Sequence, residues 1–133
     1  ALAQSLGAPI AFPGELGQQD LVDHLHACGV VAFPSIARSE AFGLGILEAH
    51  ACGKPVVATR LGTGVEFANL DGETGLNVAP KNASAMAEAL NALLDDPERR
   101  KRMGNAARQR VRTEFRAEDI AKKEFDIYQK LLA

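Results

Sequence analysis

Residues 39–57 read SEAFGLGILEAHACGKPVV, and their reading decides the fold. Immediately upstream, VVAFPS (30–35) is an unbroken apolar run, the pattern of a strand buried on both faces. A polar loop, 36–42, follows. Residues 43–52 then carry mostly small and apolar side chains with no proline, until Gly53 ends them as glycine ends many helices. Lys54-Pro55 leads into PVVATRL (55–61), a second apolar strand. Strand, loop, helix and strand in that order predict two parallel strands joined by a helical crossover. Within the unit two glutamates stand eight residues apart, Glu40 in the loop and Glu48 about a turn and a half into the helix. Packing a core requires neither.

The same alternation continues in both directions. Upstream, the chain opens ALAQSLG, which reads as the last turn of a helix stopped by Gly7, so a longer protein is expected to precede it. PIAFPG (9–14) reads as a short strand closed by Pro13-Gly14, and LGQQDLVDHLHAC (16–28) as a helix. Downstream come a GTG turn (62–64), a short helix at 65–70, a DGETG turn (71–75) and a strand at 76–80. Helices follow at 82–96, capped by Asn82 or Ser84, at 97–112 with Pro97 in the first turn, and at about 117–132. Strands that alternate with helices and read as apolar runs define an α/β fold, a Rossmann-like parallel sheet with helices on both faces. Four strands are few for such a sheet, and its first strands are expected to lie upstream.

Composition narrows the function classes. The chain has 133 residues, enough for one domain, with a net charge of -2 that gives nucleic acid no electrostatic foothold. Tryptophan is absent and aromatic residues make up 5%, too few for base-stacking platforms. No apolar run approaches the ~20 residues of a membrane span. Cys28 and Cys52 lie outside any C-x-x-C pattern and read as small buried thiols of a cytoplasmic protein. His24, His26 and His50 have no metal-ligand spacing with them, so no metal is expected.

In open parallel sheets ligands bind beyond the carboxyl ends of the strands. The loop 36–42 and the start of the following helix lie at that edge. A helix N-terminus presents unpaired N–H groups and a partial positive charge, and phosphate is its usual guest. Gly43 and Gly45 let a ligand approach the backbone of Phe42, Gly43, Leu44 and Gly45. At 1.5 Å rise per residue, Glu48 lies about 7–8 Å along the helix, too far for the phosphate but suited to the vicinal diol of a ribose attached to it. Glu40 lies on the loop side, where it can face hydroxyls at the far end of a diphosphate. A solvated helix glutamate and a carboxylate favouring a helix N-terminus are the plain alternatives. The GLGILE segment matches a G-x-G-x-x-G fingerprint only in part.

FPSIARSEAFGLGILEAHACGKPVVAT (33–59) resembles the signature of the retaining GT-B glycosyltransferases of family 4, with Glu40 and Glu48 as its E-x7-E pair. DGETGLNVAP (71–80), ALNALLDDPERRKRMGNAARQRV (89–111) and YQKLL (128–132) resemble that family's later elements. The resemblance implies part of the C-terminal, nucleotide-sugar-binding domain of a GT-B fold over residues 1–133. The N-terminal domain that binds an acceptor sugar or lipid, and the basic residues that neutralise the pyrophosphate, would precede it. It further implies that the backbone of Phe42, Gly43 and Leu44, with Gly45, holds the donor's phosphates. Glu48 would hold the ribose hydroxyls, Glu40 the transferred sugar, and the loop from Phe12 to Leu16 would border the base. No metal or other cofactor is implied beyond the nucleotide-diphosphate sugar itself, and the fragment alone is expected to be inactive. Ala41 departs from the family's frequent glycine, Gly-Thr-Gly at 62–64 from Gly-Gly, and Arg60 from an acid. The alternative is a non-catalytic Rossmann-like module that binds a nucleotide or a protein. Seven basic residues between Arg99 and Arg112 read either as a membrane- or acceptor-facing patch or as a solvated face.

Overall fold

The computed structural model describes residues 5–132. Helix α1 (Gln18–Ala27) leads to β1 (Val31–Phe33), α2 (Leu44–Ala51), β2 (Val56–Thr59), α3 (Val65–Ala68) and β3 (Gly75–Val78). Three longer helices follow, α4 (Ala83–Leu94), α5 (Pro97–Glu114) and α6 (Ala117–Leu132). The sheet is parallel with order β1-β2-β3, and Val31 stands beside Val56, which stands beside Gly75.

Every residue of β2 is buried, as expected of a central strand covered twice. Val56 and Ala58 face one core with Ile46 and Ala49 of α2, Leu61, and Val65 and Ala68 of α3. Val57 faces the other with Leu93 of α4 and Met103 of α5. Helices therefore cover both faces, the architecture read from the sequence.

The strand expected at 9–14 is absent. That segment is irregular and unpaired, with Ile10 N–H turned back onto Ala8 O at 2.8 Å and Gly14 at φ 76°, and Phe12 is 77% exposed. Pro9 and Pro13 lack N–H groups for a ladder, and among the described residues β1 pairs only with β2. Among the described residues three strands form, where four were expected. The helix turn expected ahead of Gly7 falls largely on residues 1–4, outside the described residues. Cys28 and Cys52 are free thiols, half-buried where full burial was expected.

Two features fasten α5 to the rest. At Gly104 the helix passes so close to the turn after α2 that a Cβ there would collide with the Gly53 carbonyl oxygen. Its arginines then reach the carbonyl ends of three other helices. Arg100 donates to Leu93 O and Leu94 O at the end of α4, both at 2.9 Å. Arg108 donates to Ala51 O of α2 at 3.2 Å, and Arg110 to Ala68 O of α3 at 3.0 Å. Cations at helix C-termini satisfy orphan carbonyls and oppose the negative end of the dipole. Three of the seven basic residues thus serve as caps, while Lys101, Arg102 and Arg112 stay exposed. Helix α6 buries no residue, and Phe125, Tyr128, Leu131 and Leu132 lie open on it.

Replacing Gly104 by valine is expected to force α5 off Gly53 and to cost about 1–3 kcal/mol, the range for overpacked cores. Urea denaturation checks this; an unchanged midpoint would show that the two elements do not depend on their close approach.

Candidate functional site

The start of α2 is built by three local devices. Gly43 caps the helix in the left-handed region, φ 81° and ψ 61°, and a Cβ there would stand 2.9 Å from Ile46 Cδ1. A side chain is excluded by strain and by space. Glu40 turns back so that its Oε1 accepts the Gly43 N–H at 3.0 Å. The loop is held from the other side by Gly64, whose N–H donates to Ala41 O at 2.8 Å and whose absent Cβ would stand 2.7 Å from Phe42 Cδ2.

With Gly43 N–H bound to Glu40 and Ile46 N–H bonded back to Gly43 O, the N–H groups of Leu44 and Gly45 have no acceptor among the described residues. They are the free donors that a helix start provides. Leu44 is 70% exposed. Gly45 differs from Gly43, because a Cβ on it would meet Phe33 Cε2 at 3.5 Å and Glu48 Oε2 at 3.9 Å, ordinary contacts. The fold tolerates a methyl group there. Glu48 is exposed, and its carboxylate, which leans back over Gly45, has no hydrogen-bond or ion-pair partner among the described residues.

Structure thus gathers Phe42, Gly43, Leu44, Gly45 and Glu48 at one helix start on the carboxyl edge of the sheet, with Glu40 bound into the same turn. Phe12 to Leu16 lie in the irregular segment ahead of α1, with a bend at Glu15. Lys54, at the opposite edge, donates to His26 O at 2.8 Å, and Arg60 pairs with Asp71 at 2.6 Å.

Two neighbours escaped the sequence reading. Arg38 donates to Gly62 O at 3.1 Å and ties the loop 36–42 to the loop after β2. Glu66 accepts the Gly62 N–H at 2.7 Å and the Thr63 N–H at 3.3 Å. Burial opposes its ionisation, but these N–H groups outweigh burial and hold its carboxyl below the ordinary value. Thr63-x-x-Glu66 is a capping-box spacing, and it was the available signal. A groove of about 410 Å³ lies between Pro34, Ile36 and the α4 residues Met86 and Leu90, and includes neither Glu40 nor Glu48. Among the described residues no cluster of three His, Cys, Asp or Glu side chains could hold a metal ion, and no helix is long and apolar enough to cross a membrane.

His50 sits behind the site on α2, 1% exposed, and neither ring nitrogen has a hydrogen-bond partner. Burial lowers its pKa to about 4; the nearby Asn69 side chain resists the shift, and Arg110 adds to it.

Comparison with known proteins gives the family and the fold. The family model described as glycosyl transferases group 1 matches residues 1–110. A D-rhamnosyltransferase of Pseudomonas aeruginosa is 38% identical over 118 residues, 88% of this chain and 31% of the relative. The O-antigen chain mannosyltransferase C of Escherichia coli is 33% identical over 92% of this chain and 33% of its own. Among solved structures, sucrose-phosphate synthase of Thermosynechococcus elongatus superposes with a TM-score of 0.89 at 34% identity, over 98% of this chain and 33% of that one. Anabaena HepE, solved with UDP-glucose, gives 0.86 at 26%, over 96% and 35%. The chain spans about a third of the length of these proteins.

The orphaned imidazole sets a pH dependence. An unfolded chain protonates His50 near 6.5, whereas the folded chain resists until about 4. Stability is therefore intact above pH 6.5 and falls as pH drops towards 4, by up to about 3 kcal/mol. His50→Met is expected to flatten that slope in denaturation curves between pH 7 and 4; a variant as acid-sensitive as the wild type would place the titration elsewhere.

Proposed function

The chain belongs to the glycosyl transferases group 1 family, and on that premise we propose that the start of α2 is the donor site for a nucleotide-diphosphate sugar. The proposal extends to retaining transfer of the family 4 type, with residues 1–133 as part of the C-terminal half of a GT-B enzyme. The observation that carries it is the pairing of two unpaired N–H groups, Leu44 and Gly45, with an exposed, unpartnered carboxylate leaning over them. The N–H groups suit the diphosphate. Glu48 suits the ribose diol, since an ionised carboxylate accepts two O–H bonds at once. Glu40 contacts the transferred sugar through the oxygen not engaged with Gly43. Donor phosphates need no metal in this reading.

The chemical contribution follows from the direction of charge flow. As the sugar leaves, negative charge grows on the diphosphate. Fixed N–H groups and the positive end of α2 stabilise that charge without reorganising. The acceptor, a sugar or lipid, is held by a domain outside this chain, and the chain alone does not transfer sugar. The whole enzyme works in the cytoplasm, with peripheral membrane contact if its acceptor is a lipid. That HepE was solved with UDP-glucose supports a nucleotide sugar as the ligand class.

Titration with UDP, GDP and ADP tests this. One of them is expected to bind in the millimolar range, about 4 kcal/mol, and Glu48→Ala to weaken it. Gly45→Ala is the sharper variant. It is expected to stabilise the fold by about 0.5–1 kcal/mol through helix propensity while weakening the nucleotide, because the methyl group intrudes on the ligand rather than on the protein. A Gly45→Ala protein that binds as well as the wild type would place the diphosphate elsewhere. Sugar transfer by the purified chain would overturn its proposed inactivity.

A further inference from the structure

Phe42, the first residue of the candidate donor turn, is not packed only by its own loop. Its ring belongs to a cluster with Phe67 of α3 and Phe115, the residue between α5 and α6. Centroids lie 6.2 Å apart for Phe42–Phe67, 6.2 Å for Phe42–Phe115 and 5.8 Å for Phe67–Phe115, with tilted or edge-on planes, the geometry such pairs favour. The Arg110 guanidinium covers the cluster, its Cζ 5.0 Å from the Phe67 centroid and 4.9 Å from that of Phe115. Arg110 is itself fixed at both ends of its fork, by Ala68 O at 3.0 Å and by Glu114 Oε2 at 3.0 Å.

The cluster has an unusual position. On one side it touches the residue next to Gly43, whose backbone starts α2. On the other it holds the joint at which the chain leaves α5, an anchored helix, for α6, which buries no residue. Phe115 has left the helical region, with φ -118° and ψ 25°, so this joint is where α6 sets off in its own direction. The geometry points to Phe115 as a positioning residue. By packing on Phe42 it fixes the Phe42–Gly43 backbone, and so the direction of the Leu44 and Gly45 N–H groups. The donor turn then depends on how the α5–α6 joint is seated, although that joint follows it by more than sixty residues. Arg110, locked over both Phe67 and Phe115, keeps the cluster from opening. This inference rests on the donor-site reading above.

The test compares the wild type, Phe115→Ala, Phe115→Tyr and Leu93→Ala in the 133-residue chain. Leu93 is a fully buried residue of the core on the other face of the sheet, so its truncation costs stability without touching the cluster. Two quantities are read: the Gly43 amide shift without ligand, and the affinities for UDP, GDP and ADP. Phe115→Ala is expected to move the Gly43 amide and weaken the bound nucleotide roughly threefold to tenfold, the scale of one lost aromatic pair. Phe115→Tyr, which keeps the ring, is expected to restore both. Leu93→Ala is expected to lower stability and change neither. Should Phe115→Ala not fold, Phe115→Leu, which keeps bulk and removes the ring, takes its place. Wild-type binding that survives ring removal undiminished would overturn this inference and leave the donor site standing. Equal weakening by Leu93→Ala would reduce Phe115 to a structural role. A wild type that binds none of the three nucleotides would overturn the donor site and this inference together.

Discussion

The contact that the rest of this fold depends on is the passage of Gly104 in α5 against the Gly53 carbonyl. It brings one long helix to the carbonyl end of α2, close enough for Arg108 to close the last turn. From that fixed line, Arg100 reaches the end of α4 and Arg110 the end of α3. Each helix end carries carbonyls that must find donors, and α5 supplies donors to three of them. Two residues without side chains thus bring the two elements together, and long cationic side chains tie the ends. Valine, leucine and isoleucine contacts on β2 fill the space so defined.

The site inherits this order. Helix α2 is held at its carbonyl end by Gly53 and Arg108 and at its N–H end by Gly43 and Glu40. Its first free N–H groups are consequently aimed rather than frayed. Binding groups that are preorganised pay no ordering cost when a ligand arrives. The loop 36–42 is tied to the loop after β2 by Arg38 and Gly64, and Thr59 Oγ1 donates to Ser35 O where the two strands end. The carboxyl edge is therefore one connected surface, with Glu48 as its unpartnered acid.

The fold was legible because β1 and β2 read as unbroken apolar runs around a glycine-stopped helix. That pattern survives whatever surrounds it. PIAFPG failed for the opposite reason: a strand exists only beside another strand, and the sequence of one segment does not say whether its neighbour is present. That Glu40 and Glu48 both lie near one helix start was legible from their spacing and from the position of Gly43. The plain alternative for Glu40, a carboxylate favouring a helix N-terminus, describes its bond to the Gly43 N–H. The basic run from Arg99 to Arg112 was ambiguous as sequence, since a helix wheel does not tell which arginines meet another helix end. Phe67 and Phe115 were invisible for a similar reason. They lie 48 residues apart, and only the fold brings them to Phe42.

The most direct measurement is a crystal structure of the chain soaked with the nucleoside diphosphate that it binds best. The account predicts the diphosphate against the Leu44 and Gly45 N–H groups, the ribose diol on Glu48, and no displacement of Glu40 from Gly43. Density in the groove beside Met86 and Leu90, or among Lys54, Arg100 and Lys101 at the opposite edge, would contradict it.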